Sequence, residues 1–249
     1  NLIMRIAVMQ PYFAPYLGYF RLVSEVDIFV YFDNAQMTKR SWITRNKFIP
    51  CPKNNLITLE QARNSVVLSI PITKISQSKL ISEQDHALSD QFVDKTKRRL
   101  ISWYPKSSKA YKVFIDHFFE PFHETSSLLC ALERQIKLLS DFMNIKSPKY
   151  LRASEIISRH YGEQAMTIDA QEYIIKICKE LGAQEYINLP GGRDIYKQSV
   201  FNANQIKLSF LDFSQDIGQA PMMSALHYAA IDNNLCKVLM NDFWSLSHG

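Results

Sequence analysis

The sequence predicts an α/β fold, a Rossmann-like parallel sheet with helices on both faces, a helical insertion and a C-terminal helical part. Three observations predict it: two short apolar strands near the amino terminus separated by one helical stretch, a helix-rich middle, and a return to alternating helix and strand patterns after residue 170.

The first strand is Arg5-Ile6-Ala7-Val8-Met9, whose continuous apolar run with β-branched residues fits a strand buried on both faces. Gln10 and Pro11 end it, Pro15 and Gly18 lie in an aromatic loop, and residues 19–24 have helical spacing. Residues 27–33 form the second strand, closing on Asp33. A strand, helix, strand succession this compact implies parallel pairing through a crossover. Residues 66–72 read as another strand. Residues 91–104 and 107–120 carry apolar positions at helical spacing, with Lys95, Lys97, Arg98 and Arg99 on a solvated face. Thr125 or Ser126 caps a longer helix running through residue 143. Residues 170–181 form a helix that Gly182 stops, residues 185–189 a strand, residues 190–194 a break, residues 206–213 a strand, and a helix from about residue 223 closes the chain. No Gly-, Ser- or Pro-rich linker divides the sequence, so residues 4–249, with Met4 read as the natural start, are one domain with a mainly helical region at about 91–165.

With 47% hydrophobic and 21% charged residues over 249 positions, the chain has enough apolar surface for a real core, which excludes a disordered tail, a collagen-like fibre and a disulfide scaffold. Only 7 glycines argue against a glycine-rich phosphate loop, and 12% aromatic residues favour pockets walled by rings. The net charge of +5 suits a phosphate-bearing ligand but falls short of the concentrated charge of nucleic-acid proteins. Cys51, Cys130, Cys178 and Cys236 are far apart and read as reduced, packed thiols in a reducing cytoplasm. No apolar run approaches the roughly 20 residues of a bilayer span. His86, His117, His123, His160, His227 and His248 lack zinc spacing, so no metal site is predicted, and no GxSxG or Cys with a nearby His partner supports covalent catalysis.

Three segments carry the candidate chemistry. Gln10, Tyr12, Tyr16, Gly18 and Tyr19 lie on the loop and helix start after the first strand, where open parallel sheets bind ligands. Asp33 and Gln36 end the second strand, and Trp42, Arg45 and Asn46 follow; an acid, amides, an indole and a guanidinium suit a sugar or nucleotide. Asn188-Leu189-Pro190-Gly191-Gly192-Arg193 leads to Tyr196. Paired glycines before a helix start would offer backbone amides to a phosphate near Arg193, although a plain turn uses the same residues. His227 sits in the C-terminal apolar helix, where a core or interface role competes with a catalytic one.

The segments QPYFAPYLGYF at 10–20, VDIFVYFDNAQ at 26–36, SWITRNKF at 41–48 and YINLPGGRDIY at 186–196, in that order, resemble the WbqC-like family of bacterial proteins associated with surface-polysaccharide biosynthesis. One departure lies near the C-terminus: where the family tends to show Ser, an acid and then Asn-Gly, this chain reads Ser224-Ala225-Leu226-His227 and later Asn233-Asn234. A looser similarity of layout links the first loop to HxGH nucleotidylyltransferases and pantothenate synthetase-like ligases. Here that tetrad is Tyr16-Leu17-Gly18-Tyr19, and without its histidines the charge developing at a reacting phosphate would lack its main support.

The family resemblance implies a cytoplasmic transferase of O-antigen synthesis that acylates or aminoacylates, for example with glycine, the amino group of a nucleotide-linked sugar such as a dTDP-4-amino-4,6-dideoxyhexose. Asp33 or His227 would accept the amine proton, while Arg45 or the glycine turn would hold the diphosphate. The acyl donor and any cofactor stay unassigned, and a homo-oligomer is compatible with the sequence. The alternatives are a glycosyltransferase or nucleotidylyltransferase-like enzyme, or a non-catalytic module that binds a glycan or protein partner.

Overall fold

A computed structural model describes residues 3–38, 41–51, 63–73, 79–157, 169–213, 223–232 and 244–248. Its centre is a six-stranded sheet of β1 (Arg5–Met9), β2 (Ile28–Tyr31), β5 (Lys149–Arg152), β6 (Glu185–Asn188), β7 (Lys207–Phe213) and β8 (Trp244–His248). The spatial order is β5-β2-β1-β6-β7-β8, with all neighbours parallel except the final pair. This is the doubly wound arrangement, in which the chain moves outward through β2 to β5 and then returns to the other side of β1. The carboxyl ends of β1 and β6 therefore flank the switch point, where adjacent loops diverge and leave a crevice.

Side-chain alternation divides the core between the two faces. Ala7, Phe29, Tyr31, Ile187 and Leu211 point to one cluster. Ile6, Val8, Ile28, Val30, Tyr186, Leu208 and Phe210 point to the other. On the first face pack α1 (Leu17–Glu25), α2 (Asp90–Trp103), α3 (Lys109–His117), α4 (Glu120–Glu124), α5 (Leu128–Phe142) and α9 (Ala225–Ile231). On the second lie α6 (Ala153–Ile157), α7 (Ala170–Leu181) and α8 (Gln198–Ala203). Away from the switch point the buried Glu185 carboxylate ties three strands: it accepts from Ser209 Oγ at 2.6 Å and pairs with Arg5 at 3.1 Å and Lys207 at 3.2 Å.

The α/β class and the strand and helix faces agree with the sequence expectation, and several local assignments change. The strand expected at 66–72 is shorter, β4 (Val66–Ser69), and pairs antiparallel with β3 (Arg45–Phe48) in a separate two-stranded sheet. β5 interrupts the expected helical region and was hidden by its polar sequence, Lys149-Tyr150-Leu151-Arg152, which suits an edge strand. The chain does not close on a helix: α9 is followed by β8, antiparallel to β7. The cap of α5 is Ser127, whose Oγ accepts from the Cys130 N–H; Thr125 Oγ1 instead accepts from the Ser127 N–H. Among the described cysteines Cys178 is buried and Cys51 exposed, so packing does not account for every thiol, and Cys236 lies outside the described residues with His160, Asn233 and Asn234. No helix among the described residues is long and apolar enough to cross a membrane.

Gly182 ends α7 in the left-handed conformation at φ +65°, and an added Cβ there would meet nothing within 4 Å. Gly182→Ala should therefore cost only backbone strain, about 1 kcal/mol, visible as a lower urea midpoint with an unchanged m-value.

Candidate functional site

The loop between β1 and α1 is held as a knot. Ala14 adopts φ +41°, and each of its backbone polar groups has a side-chain partner. Its N–H donates to Gln135 Oε1 at 3.2 Å, and its carbonyl accepts from Asn46 Nδ2 at 2.7 Å and Ser224 Oγ at 2.8 Å. Asn46 Nδ2 also reaches the Phe13 carbonyl, and the Phe13 N–H is shared between the Trp42 and Ile43 carbonyls at 3.2 Å each. The Ala225 N–H donates to the Pro15 carbonyl. Segments far apart in sequence thus meet at one turn beside the carboxyl end of β1.

This geometry gives the predicted aromatic residues a mainly architectural role. Tyr19 is fully buried and donates to the Gln10 carbonyl at 3.1 Å. Tyr12 and Tyr16 are half-buried and pack with it, at ring separations of 5.6 Å for Tyr12 to Tyr19 and 6.4 Å for Tyr12 to Tyr16. Burial raises the pKa of all three phenols, so they stay protonated at neutral pH. Gly18 is buried in the first turn of α1. Asn46 is buried, with its Nδ2 committed to the loop carbonyls and its Oδ1 accepting from the Lys47 N–H at 2.8 Å.

β3 alternates strictly. Asn46 and Phe48 face inward, leaving Arg45 and Lys47 on the outer face. The Arg45 guanidinium lies 5.2 Å from the Trp42 ring centre and Lys47 Nζ 5.7 Å from it. Among the described residues neither cation pairs with a carboxylate, and the buried Arg45 Nε has no hydrogen-bond partner. Lys47 was not singled out from the sequence; the signal was its two-residue spacing from Arg45. Gln36 is exposed on a bridge to Leu80 and has no part in the knot.

Asp33 sits at the end of β2, as expected, but is only 1% exposed. Its Oδ1 accepts from the Ser154 N–H at 3.0 Å and its Oδ2 from Ser154 Oγ at 2.5 Å. The carboxylate therefore caps the first turn of α6 and joins β2 to the segment after β5. His227 is also displaced from the expected role. It is fully buried, and its Nδ1 lies 2.7 Å from the Tyr104 hydroxyl. The Tyr104 hydroxyl and His227 Nδ1 share this one hydrogen bond, and Nε2 has no partner among the described residues. Desolvation pushes the imidazole pKa down to about 3. With no solvent face and no second partner among the described residues, the ring belongs to the core.

The glycine turn needs a similar correction. Pro190–Gly192 is a tight helical turn, but the next helix starts only at Gln198, so Arg193 is not at a helix N-terminus. Arg193 Nη2 pairs with Asp212 at 2.6 Å and its guanidinium lies over Phe210. A Cβ at Gly192 would sit 2.6 Å from Asn188 Nδ2, so a larger residue there would displace the Asn188 amide. Gly191 is exposed, with nothing within 4 Å of a Cβ position. Tyr196 packs against Tyr186 and Phe201 on the opposite face of the sheet from the aromatic loop. Asn188, whose Oδ1 accepts from the Leu189 N–H at 2.7 Å, shapes the turn. Gln135 escaped the sequence reading; a polar residue on the apolar face of α5 was its signal. Among the described residues no group of three His, Cys, Asp or Glu side chains could hold a metal.

Asn46→Ala leaves the Phe13 carbonyl bare and removes one of two partners from Ala14, so it should lower stability by about 2–4 kcal/mol in urea titrations. Arg45→Ala, one residue away but facing outward, should cost less than about 1 kcal/mol. His227 predicts a pH dependence with a fixed sign. Its depressed folded pKa means that the unfolded chain binds the proton first as pH falls below 6.5, so stability is lost between pH 6.5 and about 3. In the window from pH 6.5 to 5 the unfolding free energy of the wild type should fall by up to about 1.4 kcal/mol per pH unit more than that of His227→Gln.

Residues 10–226 match the WbqC-like protein family. A curated relative from Mycobacterium tuberculosis (strain ATCC 25618 / H37Rv), "Uncharacterized protein Rv1507c", is 22% identical over 215 residues, covering 84% of this chain and 82% of the relative. No solved structure gives a significant match. The family match spans the aromatic loop, the Asp33 strand end, the β3 cations, the diglycine turn and most of the segment up to α9, and on that extent the chain belongs to the WbqC-like protein family.

Proposed function

We propose that this protein is a transferase of bacterial surface-polysaccharide biosynthesis that acylates or aminoacylates the amino group of a nucleotide-linked amino sugar. One observation carries the reading: Arg45 and Lys47 share the outer face of β3 beside Trp42, with no carboxylate partner among the described residues. Two cations separated by two strand residues, ~7 Å, flank a doubly charged group such as a diphosphate, and the indole offers a ring face for base or sugar. The backbone bonds from Trp42 and Ile43 to Phe13 fix this platform to the loop after β1. The exposed Gly191 turn follows β6, the strand paired with β1.

In the reaction the free sugar amine attacks the acyl carbon of an activated donor. A C–N bond forms, the bond from that carbon to the donor's leaving atom breaks, and the amine proton departs with the leaving group. Asp33 and His227 serve this reading as positioning residues, because one holds α6 against β2 and the other supports the α9 segment bonded to Pro15. Binding and orientation of the nucleotide then supply most of the rate gain.

The test is calorimetric titration with dTDP-4-amino-4,6-dideoxyhexoses and their 4-hydroxyl analogues, followed by mass spectrometry of mixtures with candidate acyl donors. Arg45→Ala/Lys47→Ala should weaken nucleotide-sugar binding at least tenfold while leaving the melting temperature within a few degrees. An added acyl mass on the amino sugar alone supports the transferase. Binding of free glycans without any nucleotide requirement overturns it in favour of a binding module.

A further inference from the structure

A second cleft lies on the sheet margin at β5, remote in sequence from Trp42. It has a volume of about 470 Å³ and is walled by the ends of β2 and β5, by α5 and by α6. That volume lies within the range of small-ligand sites. Tyr31 and Tyr150 line it, stacked at 5.5 Å with an interplanar angle of 9°. Arg134 and Lys137, three residues apart and both exposed on α5, line it, and Glu155 contributes an exposed carboxylate from α6.

Arg152 is the built part of this cleft. Glu133 grips it bidentately, Oε1 on Nε at 2.8 Å and Oε2 on Nη2 at 2.6 Å, and Nη2 also reaches Cys130 Sγ at 3.3 Å. The hydrogen bonds to Glu133 raise the guanidinium pKa, so it stays charged. Its Nη1 has no partner among the described residues, which leaves a planar donor fixed in orientation beforehand. The partners of Arg134 and Lys137 are Glu124 and Asp141, and all four of these side chains are at least half exposed. Such surface pairs are weak and exchange readily for a better anion.

We infer that this cleft is a second binding site, for a phosphate ester of a hydroxyl-bearing ring, with the phosphate held by Arg134, Lys137 and Arg152 Nη1 and the hydroxyls donating to Glu155. A phosphate suits three cationic side chains that line one cleft, and the Glu155 carboxylate beside them, exposed and with no partner among the described residues, suits hydroxyls better than a second anion. The site does not depend on the transferase reading. Sugar phosphates and nucleotides share this chemistry, and the probes separate them.

The experiment is calorimetric titration of the full chain with inorganic phosphate, glucose 1-phosphate and AMP. Arg134→Glu/Lys137→Glu, two exposed positions, should weaken binding of the phosphate esters at least tenfold. Arg45→Ala/Lys47→Ala should leave binding of glucose 1-phosphate, which carries no base for the indole, unchanged, and this separates the site from the Trp42 platform. Should the double reversal fail to fold, Lys137→Gln alone is expected to weaken binding about threefold. A preference for glucose 1-phosphate identifies a sugar phosphate and a preference for AMP a nucleotide, each supporting the site. Affinities unchanged by the α5 substitutions, loss confined to the Arg45 and Lys47 variant, or no ester binding more tightly than inorganic phosphate overturns it.

Discussion

The backbone of Ala14 is the constraint on which the carboxyl edge of the sheet depends. A residue held at φ +41° has a buried N–H and C=O that no regular element can satisfy. Gln135, Asn46 and Ser224 supply the partners from α5, β3 and the cap of α9. Each of these polar residues is buried, so leaving any of them unpaired would cost more than the bond itself contributes. The knot therefore fixes where β3 stands relative to β1, and with it the Arg45, Lys47 and Trp42 platform.

The same economy of buried polar groups runs along the sheet edge. Asp33 sits at the end of β2 and caps α6 through Ser154; Glu133 locks Arg152 at the end of β5; Asn188 closes the turn after β6. Residues of catalytic type are in these places spent on geometry. The groups left to meet a ligand are the outward side chains between them, which is how a rigid frame presents Arg45 and Lys47 without a carboxylate partner among the described residues.

Family membership and architecture point in one direction here, since the matched region contains the loop, the β3 cations and the diglycine turn together. The doubly wound order puts the first and last of these at the two sides of its switch point. Fold alone does not choose a reaction, and the two cations beside an indole, without a carboxylate partner among the described residues, carry the functional argument.

Much of the fold was legible in the sequence because β1 and β2 are apolar runs, β7 alternates and Gly182 stops α7, signals that act within a few residues. β5 was not legible, because an edge strand with polar residues has no periodic signature, and β8 was read past for a helix. The candidate site divides in the same way. The sequence by itself determined which residue types gather after β1, β2 and β6, and that Arg45 and Trp42 are close. Only the tertiary structure decided which of them face solvent: burial turned His227 into a neutral core imidazole, Ser154 occupied Asp33, Asp212 took Arg193, and strand alternation left Lys47 beside Arg45. The reason is physical. Residue type sets what a group can bond, but desolvation and the partner across the fold set what it has left to offer.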